Sequence, residues 1–351
     1  MKILIIFQII ILVLTCPNLV FAQDIGVHAK AYILMEAKTG QVIISKNQDV
    51  PLPPASTTKI LTAIMAIERG EVDKEIVVSN EAASVGEASI HLEPGEKISV
   101  LNLLKGALIK SGNDASFALA EYVGGTEDIF LLLMNRKAKL VGALNSTFYN
   151  ANGLPHKGHL STAKDLALMA RYGLNNRLFK SIVATKEERI PWSNYGWDRN
   201  LVNTNKLLWK YTGADGVKTG TTKEAGSCLV ASATKGDRQL IAVVLKSGDR
   251  FGEAARLLDY GFNKTSLRRI PKGSEYGALL LPGSDKRIPL VVPDDYEFTT
   301  LNSSKLKYRI VTVGKRKNLV QQGDYIGVLV VEDSSGIVAR IPLVASKSSK
   351  S

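Results

Sequence analysis

Ser56 and Lys59, in the run Ser56-Thr57-Thr58-Lys59, are three residues apart and share one face of a helix. A serine hydroxyl is a weak nucleophile until a base takes its proton. A lysine can be that base only if burial or a nearby positive charge makes its ammonium easier to deprotonate. A helix starting at Ser56 would also leave that residue's backbone N–H free for an oxyanion. Alone, the pattern reads equally well as a helix cap followed by a surface lysine. A second cation stands in Lys218-Thr219-Gly220, just ahead of a hairpin signal. On an edge strand Lys218 and Gly220 point one way, and a substrate backbone could approach Gly220 closely because it has no side chain. Lys218 could lower the pKa of Lys59 and orient an anionic substrate end. In Ser111-Gly112-Asn113, at the joint of two helical runs, a hydroxyl and an amide could both face a cleft; Asn113 also reads as a plain N-cap. His156 and His159 have a ligand-like spacing, but no third ligand is evident and there is no His-Glu-x-x-His. No metal and no cofactor are expected.

These residues need elements to hold them. The spacing of Ile60, Leu61, Ile64, Met65 and Ile67 predicts a buried helix over Thr57–Arg69, with Ser56 at its N-cap and Gly70 at its end. Helices are also expected over Val100–Ile109, Asn113–Tyr122, Thr126–Val141 and Thr162–Tyr172, with a loop from Asn150 to His159. Strands are expected at Ala31–Met35 and Gln41–Ser45, then at Ser227–Ala233 and Gln239–Lys246 around the turn Lys235-Gly236-Asp237. An amphipathic helix over Phe251–Tyr260 closes this part. Beyond Asn263 short apolar runs alternate with turn residues, as in a small all-β unit. They are Ala278–Leu281, Ile288–Val292, Leu306–Val313, Tyr325–Val331 and Ile337–Val344. The polar tail Ser346–Ser351 is expected to fray.

The N-terminus addresses the compartment. Met1-Lys2, an apolar stretch from Ile3 to Val13, and Val20-Phe21-Ala22 before Gln23 read as a secretory signal peptide over residues 1–22. A transmembrane anchor competes, but Pro17 and Asn18 interrupt the apolar run; Thr15 fits poorly with lipid modification at Cys16. After cleavage Cys228 is the one cysteine left, so no disulfide forms within the mature chain. As a lone thiol in a β-run it reads as core filling. A chain of 351 residues with 45% hydrophobic and 22% charged residues is ordinary globular material, long enough for two domains. The net charge of +12 points to anionic surroundings, yet aromatics are 7% and no basic run is interleaved with them, so nucleic acid is not the expected partner. Residues 264–351 carry 15 Lys plus Arg against 8 Asp plus Glu, a surplus of +7 in a quarter of the chain. That surplus suits either an envelope-surface contact or a merely solvated face.

Order, spacing and flanks together identify a resemblance. Pro54-Ala55-Ser56-Thr57-Thr58-Lys59, Ser111-Gly112-Asn113-Asp114-Ala115 and Asp215-Gly216-Val217-Lys218-Thr219-Gly220 resemble the motifs of the low-molecular-mass penicillin-binding proteins that act as D-alanyl-D-alanine carboxypeptidases. Asn152-Gly153-Leu154, Thr162-Ala163-Lys164-Asp165 and Leu229-Val230-Ala231-Ser232-Ala233 extend it. The resemblance covers essentially all the mature chain, including the β-rich C-terminal part. It implies an α/β (α+β) fold of the penicillin-binding/β-lactamase-like transpeptidase type, an antiparallel sheet with helices and a helical subdomain, over residues 23–262. A small all-β domain over 263–346 and a tail over 347–351 would follow.

The implied activity is removal of the terminal D-alanine from peptidoglycan pentapeptide stems through an acyl-enzyme, with β-lactam antibiotics acylating the same serine. The resemblance makes Ser56 the nucleophile, Lys59 the base and Ser111 a proton relay. It makes Asn113, Lys218, Thr219, Gly220, Thr221 and Arg250 substrate-binding, with the N–H groups of Ser56 and Thr221 as the oxyanion hole. The expected signal peptide implies export to the periplasm or extracytoplasmic cell envelope. The family often carries a C-terminal amphipathic anchor helix, which the run Val344–Ser351 does not resemble, so membrane attachment stays open. Two rivals share these motifs. A class A β-lactamase needs a glutamate in the loop after the middle motif, and residues 150–161 hold none. A non-catalytic wall-binding scaffold would be expected to have lost at least one of Ser56, Lys59, Ser111 and Lys218.

Overall fold

The computed structural model describes residues 25–281, 285–312 and 319–349. The expected signal peptide lies outside them. β1 (Ala31–Glu36) and β2 (Val42–Lys46) form an opening hairpin, and a 3-10 turn at Ala55–Thr58 leads into α1 (Lys59–Arg69). Three short pieces follow: β3 (Glu75–Val77), α2 (Asn80–Ser84) and β4 (Lys97–Ser99), with β3 and β4 paired. The helical part holds α3 (Val100–Lys105), a π turn at Gly106–Lys110, α4 (Asn113–Gly124), α5 (Glu127–Leu140), α6 (Ala163–Leu174) and α7 (Arg177–Ala184). β5 (Glu187–Pro191) and β6 (Asp198–Val202) make a separate two-stranded ribbon, followed by the single turn α8 (Leu207–Lys210). β7 (Ala214–Thr222), β8 (Gly226–Lys235) and β9 (Arg238–Ser247) complete an antiparallel sheet in the order β2-β1-β9-β8-β7, and α9 (Arg250–Lys264) ends this part.

The sheet is buried on both faces, which explains why β8 and β9 read as nearly unbroken apolar runs. Ile33, Met35, Val230, Ile241 and Val243 face the core around α1, α4 and α6. Their neighbours Leu34, Leu229, Leu240, Ala242 and Val244 pack against Leu257 and Leu258 of α9. α1 is buried around most of its circumference, and its own N-terminal residue Lys59 is fully buried. The helix starts are where capping chemistry puts them. Thr126 accepts from Ile129 N, Thr162 from Asp165 N and Asn176 from Leu178 N and Phe179 N.

Two expectations about caps need correction. Ser56 caps nothing: it lies inside the 3-10 turn, where Thr57 Oγ1 donates to Pro54 O at 2.7 Å. Asn113 is the first residue of α4 rather than its cap, because Gly112 holds the cap position.

Past α9 the described residues form strands joined by turns and loops. β10 (Thr265–Ile270) pairs with β13 (Tyr296–Leu301). The remaining strands are β11 (Glu275–Leu280), β12 (Arg287–Val291), β14 (Lys307–Thr312), β15 (Tyr325–Asp333) and β16 (Gly336–Ala345). They form a second antiparallel sheet in the order β11-β12-β16-β15-β14, closed over its own apolar core. Arg238 ties the two parts together, donating to Glu36 Oε2 (2.8 Å), Gly261 O and Thr265 O. Gln41 does the same with its side-chain amide, which exchanges two hydrogen bonds with the backbone of Thr299. The tail is not frayed as far as it is described. Ser346 N donates to Pro289 O and Ser349 N to Val320 O, while Ser348 Oγ accepts from Gln322 N. No helix among the described residues is long and apolar enough to cross a membrane.

A buried ion pair fastens the β5–β6 ribbon. Arg199 donates to both Glu96 oxygens, at 2.5 and 2.6 Å, and to His91 O at 2.9 Å, with both side chains almost fully enclosed. Removing one partner of such a pair strands the other charge, at about 3–5 kcal/mol. Arg199→Ala is therefore expected to lower unfolding stability in urea by about that amount, whereas Arg309→Ala, which breaks the exposed Arg309–Glu332 pair, should cost under about 1 kcal/mol.

Candidate active site

The 3-10 turn that carries Ser56 is pressed between two glycines. Gly153, in the loop after α5, has φ +88°, and a Cβ there would come 1.9 Å from Ala55 O and 2.8 Å from Ser56 N. Gly220 on the edge strand β7 faces the turn from the other side: a Cβ there would meet Pro54 O at 2.9 Å and Ser56 N at 3.0 Å. The sequence suggests that the bare face of Gly220 admits substrate backbone. The structure fills that space with the protein's own serine turn. Behind the turn, His159 is buried. Its Nδ1 accepts from Tyr149 N, so Nε2 carries the proton and donates to Thr58 Oγ1 at 2.8 Å. Burial, then the nearby His156 and Lys59, pull its pKa down to about 4, keeping the ring neutral. His159 is a brace for the turn, with both nitrogens used inside the fold.

Lys59 occupies the centre. Its Nζ is within 2.9 Å of Ser56 Oγ, 2.7 Å of Asn113 Oδ1 and 2.6 Å of Asn152 O. Asn113 Nδ2 donates to Gly86 O at 3.0 Å, which fixes the amide orientation and leaves Oδ1 for Lys59. Among the described residues no carboxylate hydrogen-bonds the amine. Asp114, the nearest acid along α4, spends its oxygens on Ser89 Oγ, Ile90 N and Leu92 N, where it shapes the loop before β4. Burial lowers the pKa of Lys59 well below its ordinary value, and the charge of Lys218 lowers it further. Asp114 and Glu87 oppose this only in part. Asn152 carries no catalytic signal in the sequence, since a backbone carbonyl leaves no side-chain signature. The positive φ of the following Gly153 is what aims it.

Lys218 is buried on the same face of β7 as Gly220, opposite Val230 and Cys228 of β8, and its Nζ donates to Thr219 O at 3.2 Å. Burial first, then the guanidinium of Arg250, lower its pKa to about 7. Arg250, the first residue of α9, donates to Gly220 O at 2.9 Å and to Thr221 Oγ1 at 2.7 Å. Thr219 Oγ1 is paired with Thr204 Oγ1 at 2.6 Å, and Thr204 is a further neighbour that lies in no motif. Ser111 takes the left-handed conformation, φ +71°, at the end of the π turn, and its hydroxyl bonds neither Ser56 nor Lys59. The structure thus joins Ser56, Lys59 and Asn113 directly and sets Lys218, Thr219, Gly220, Thr221 and Arg250 along the facing strand and helix end. Cys228 is buried with its thiol toward Pro53 O and Ala225 O, and burial raises its pKa, as suits a packing residue.

A family model for D-alanyl-D-alanine carboxypeptidase matches residues 19–248. The chain is 35% identical over 341 residues to the D-alanyl-D-alanine carboxypeptidase DacF of Bacillus subtilis, covering 93% of this chain and 87% of that relative. It is 33% identical over 310 residues to the D-alanyl-D-alanine carboxypeptidase DacA of Escherichia coli, covering 80% and 76%. Among solved structures, the D-alanyl-D-alanine carboxypeptidase DacD from Francisella tularensis superposes with a TM-score of 0.80 at 30% identity, over 91% of this chain and 93% of that one. Penicillin binding protein 5 from Haemophilus influenzae superposes with a TM-score of 0.78 at 27% identity, over 92% and 97%.

The Gly153 contact gives a direct test. Gly153→Ala forces a Cβ into Ala55 O and an L side chain into a positive φ, so it should displace the serine turn. Labelling by a fluorescent penicillin is expected to slow at least about tenfold, equivalent to about 1.4 kcal/mol of barrier. Gly273→Ala is the control: it shares a positive φ, +81°, but has open space around it, and should leave the labelling rate unchanged.

Proposed function

The chain belongs to the D-alanyl-D-alanine carboxypeptidase family, and from that premise we propose how its residues share the reaction. It is a serine-type hydrolase that removes the terminal D-alanine from peptidoglycan pentapeptide stems and is acylated by penicillins. The observation that carries the assignment of roles is the set of three contacts around Lys59 Nζ. A neutral amine has two N–H bonds and one lone pair. Asn113 Oδ1 and Asn152 O are pure acceptors and take the two N–H bonds. The lone pair is left for the third neighbour, so Ser56 O–H donates to Lys59 across the 2.9 Å contact. Ser56 is then activated by a base that burial keeps neutral.

Ser56 Oγ attacks the carbonyl carbon of the penultimate D-alanine as its proton passes to Lys59. The oxyanion that forms faces the N–H groups of Ser56 and Thr221. Collapse needs a proton on the leaving amine. Ser111, at the end of the π turn just before Asn113, relays it from Lys59. The terminal D-alanine departs, and water cleaves the ester. Lys218 and Arg250, with the hydroxyls of Thr219 and Thr221, hold the terminal carboxylate, and Asn113 holds the substrate's amide. Gly220 acts through its missing side chain, which lets β7 close on the serine turn. In a penicillin the same carboxylate and strained amide enter the same path, but the leaving group stays tethered after the ring opens.

The remaining organisation is also a proposal. Residues 1–22 act as an export signal, and residues 23–262 work as the catalytic domain outside the cytoplasmic membrane. The basic strand-rich unit over 263–346 presents that domain to the anionic envelope. Its charge surplus and its separate core support this role.

Two measurements test the roles. Mass spectrometry after penicillin labelling should place the adduct on Ser56; an adduct on another residue contradicts the mechanism. The pH profile of acylation should have an acid limb, where Lys59 gains a proton, and an alkaline limb near pH 7, where Lys218 loses its charge and its hold on the carboxylate. Lys218→Ala removes a positive charge that lowers the pKa of Lys59, so that pKa rises and the acid limb moves to higher pH. Its rate falls, part of the loss returns on raising the pH, and the alkaline limb disappears. Lys59→Ala should lose acylation at every pH.

A further inference from the structure

The tip of the β5–β6 ribbon carries three aromatic residues that the reaction does not use. Trp192 is packed under the guanidinium of Arg199, 4.3 Å from ring to cation, and meets Tyr195 edge-on at 4.6 Å. Tyr195 is fixed in turn, because its hydroxyl donates to Glu93 Oε1 at 2.6 Å while Asn194 Nδ2 donates to Glu93 Oε2. Trp197 leans on Tyr195 at 5.0 Å and 33° and remains 62% exposed. These rings form a braced step whose last face is open. Beside that face lies a pocket of about 420 Å³ lined by Arg189, Gly196, Trp197, Asp198 and Asn200.

The chemistry of this patch selects among occupants. Arg189 and Asp198 balance each other in the lining and Arg199 is paired with Glu96, so the tip does not share the basic character of the chain and is poorly suited to an anionic surface. An open indole face next to a carboxylate, an amide and a guanidinium suits a ring with one C–H face and a rim of hydroxyl and amide groups. A hexosamine sugar has that form.

The position fits as well. The loop that holds Glu93 also presents Gly86 O to Asn113 Nδ2, so ribbon and cleft share a wall. From Trp197 the chain runs back along β6 to Thr204, which bonds Thr219, largely extended over roughly 20 Å at about 3.3 Å per residue. A pentapeptide stem spans roughly 17 Å when extended. With its terminal residue in the cleft, the sugar at the other end of the stem lies within reach of the tip. We propose that the Trp192–Tyr195–Trp197 step is a subsite for the glycan strand of peptidoglycan, which lets the enzyme prefer stems still attached to their sugar backbone. This rests on the carboxypeptidase reading above.

The test uses the full mature chain with two substrates, a free pentapeptide and uncross-linked glycan strands bearing the same pentapeptide. Trp197→Ala should keep kcat/KM on the free peptide within about twofold and lose about tenfold on the strands, the effect of one aromatic stacking contact. Trp197→Phe should restore most of the loss. Peptide-free glycan chains should bind a Ser56→Ala variant saturably, followed by tryptophan fluorescence, and should not bind once Trp197→Ala is added. Equal losses on both substrates, no response to glycan, or Trp197-dependent binding to phosphatidylcholine vesicles that glycan does not displace would each overturn the subsite. Failure of the wild-type protein to release D-alanine from the free peptide would instead overturn the carboxypeptidase reading, while the glycan-binding measurement would still stand on its own.

Discussion

A lysine amine in the core of a protein, with no carboxylate against it, is the constraint on which this structure turns. Lys59 is fully buried and, among the described residues, its amine bonds only neutral oxygens, those of Ser56, Asn113 and Asn152. Leaving an ammonium there unpaired would be expensive, so burial favours the neutral amine. Had Asp114 turned one oxygen toward it, the pair would be held as an ion pair and the base would be lost. Instead that carboxylate is saturated by Ser89, Ile90 and Leu92 in the loop before β4. The same logic applies in weaker form to Lys218, where burial and then the guanidinium of Arg250 lower the pKa to about 7.

The rest of the fold serves to bring neutral oxygens to that amine and a serine to the same point. α1 can start at a fully buried lysine because the sheet and α4 close around it. The serine turn just before it is held by backbone contacts that no side chain could tolerate, from Gly153 on one side and Gly220 on the other. Gly153 has a second effect, since the turn it makes delivers Asn152 O to Lys59. His159, kept neutral and bonded to Thr58, fills the space behind without adding charge near the base. Each of these features acts by position and by the absence of charge.

Much of this was legible in the sequence, and the parts that were not share a cause. The strands β1, β8 and β9 and the helices α1, α5, α6 and α9 announce themselves because their buried faces are apolar and their ends carry capping or turn residues. The ribbon β5–β6 does not. β5 buries only Ile190, and β6 buries Arg199 beside Leu201, so the side chain that fastens it is a cation whose partner Glu96 is far away in sequence. β10 and β13 are hidden for a similar reason: their strands are polar and their register is set by Gln41 and Arg238 from the other part of the chain. At the site, the chemical side chains Ser56, Lys59, Asn113 and Lys218 could be read from type and spacing. The carbonyl of Asn152 and the pairing of Thr219 with Thr204 could not, because one belongs to the backbone and the other joins residues in unrelated elements. The spacing also gave Ser56 a capping role that a 3-10 turn does not need.

The central claim is the protonation state of a single amine, and it can be observed directly. In protein carrying ¹³C at the lysine ε position, the Lys59 signal, assigned by its loss in Lys59→Ala, can be followed by NMR from acid to alkaline pH. The account predicts that this carbon reports a neutral amine at neutral pH, with a transition far below the ordinary lysine value of about 10.4. A Lys59 signal that stays that of an ammonium up to about pH 9, in folded protein that penicillin still acylates, would contradict it.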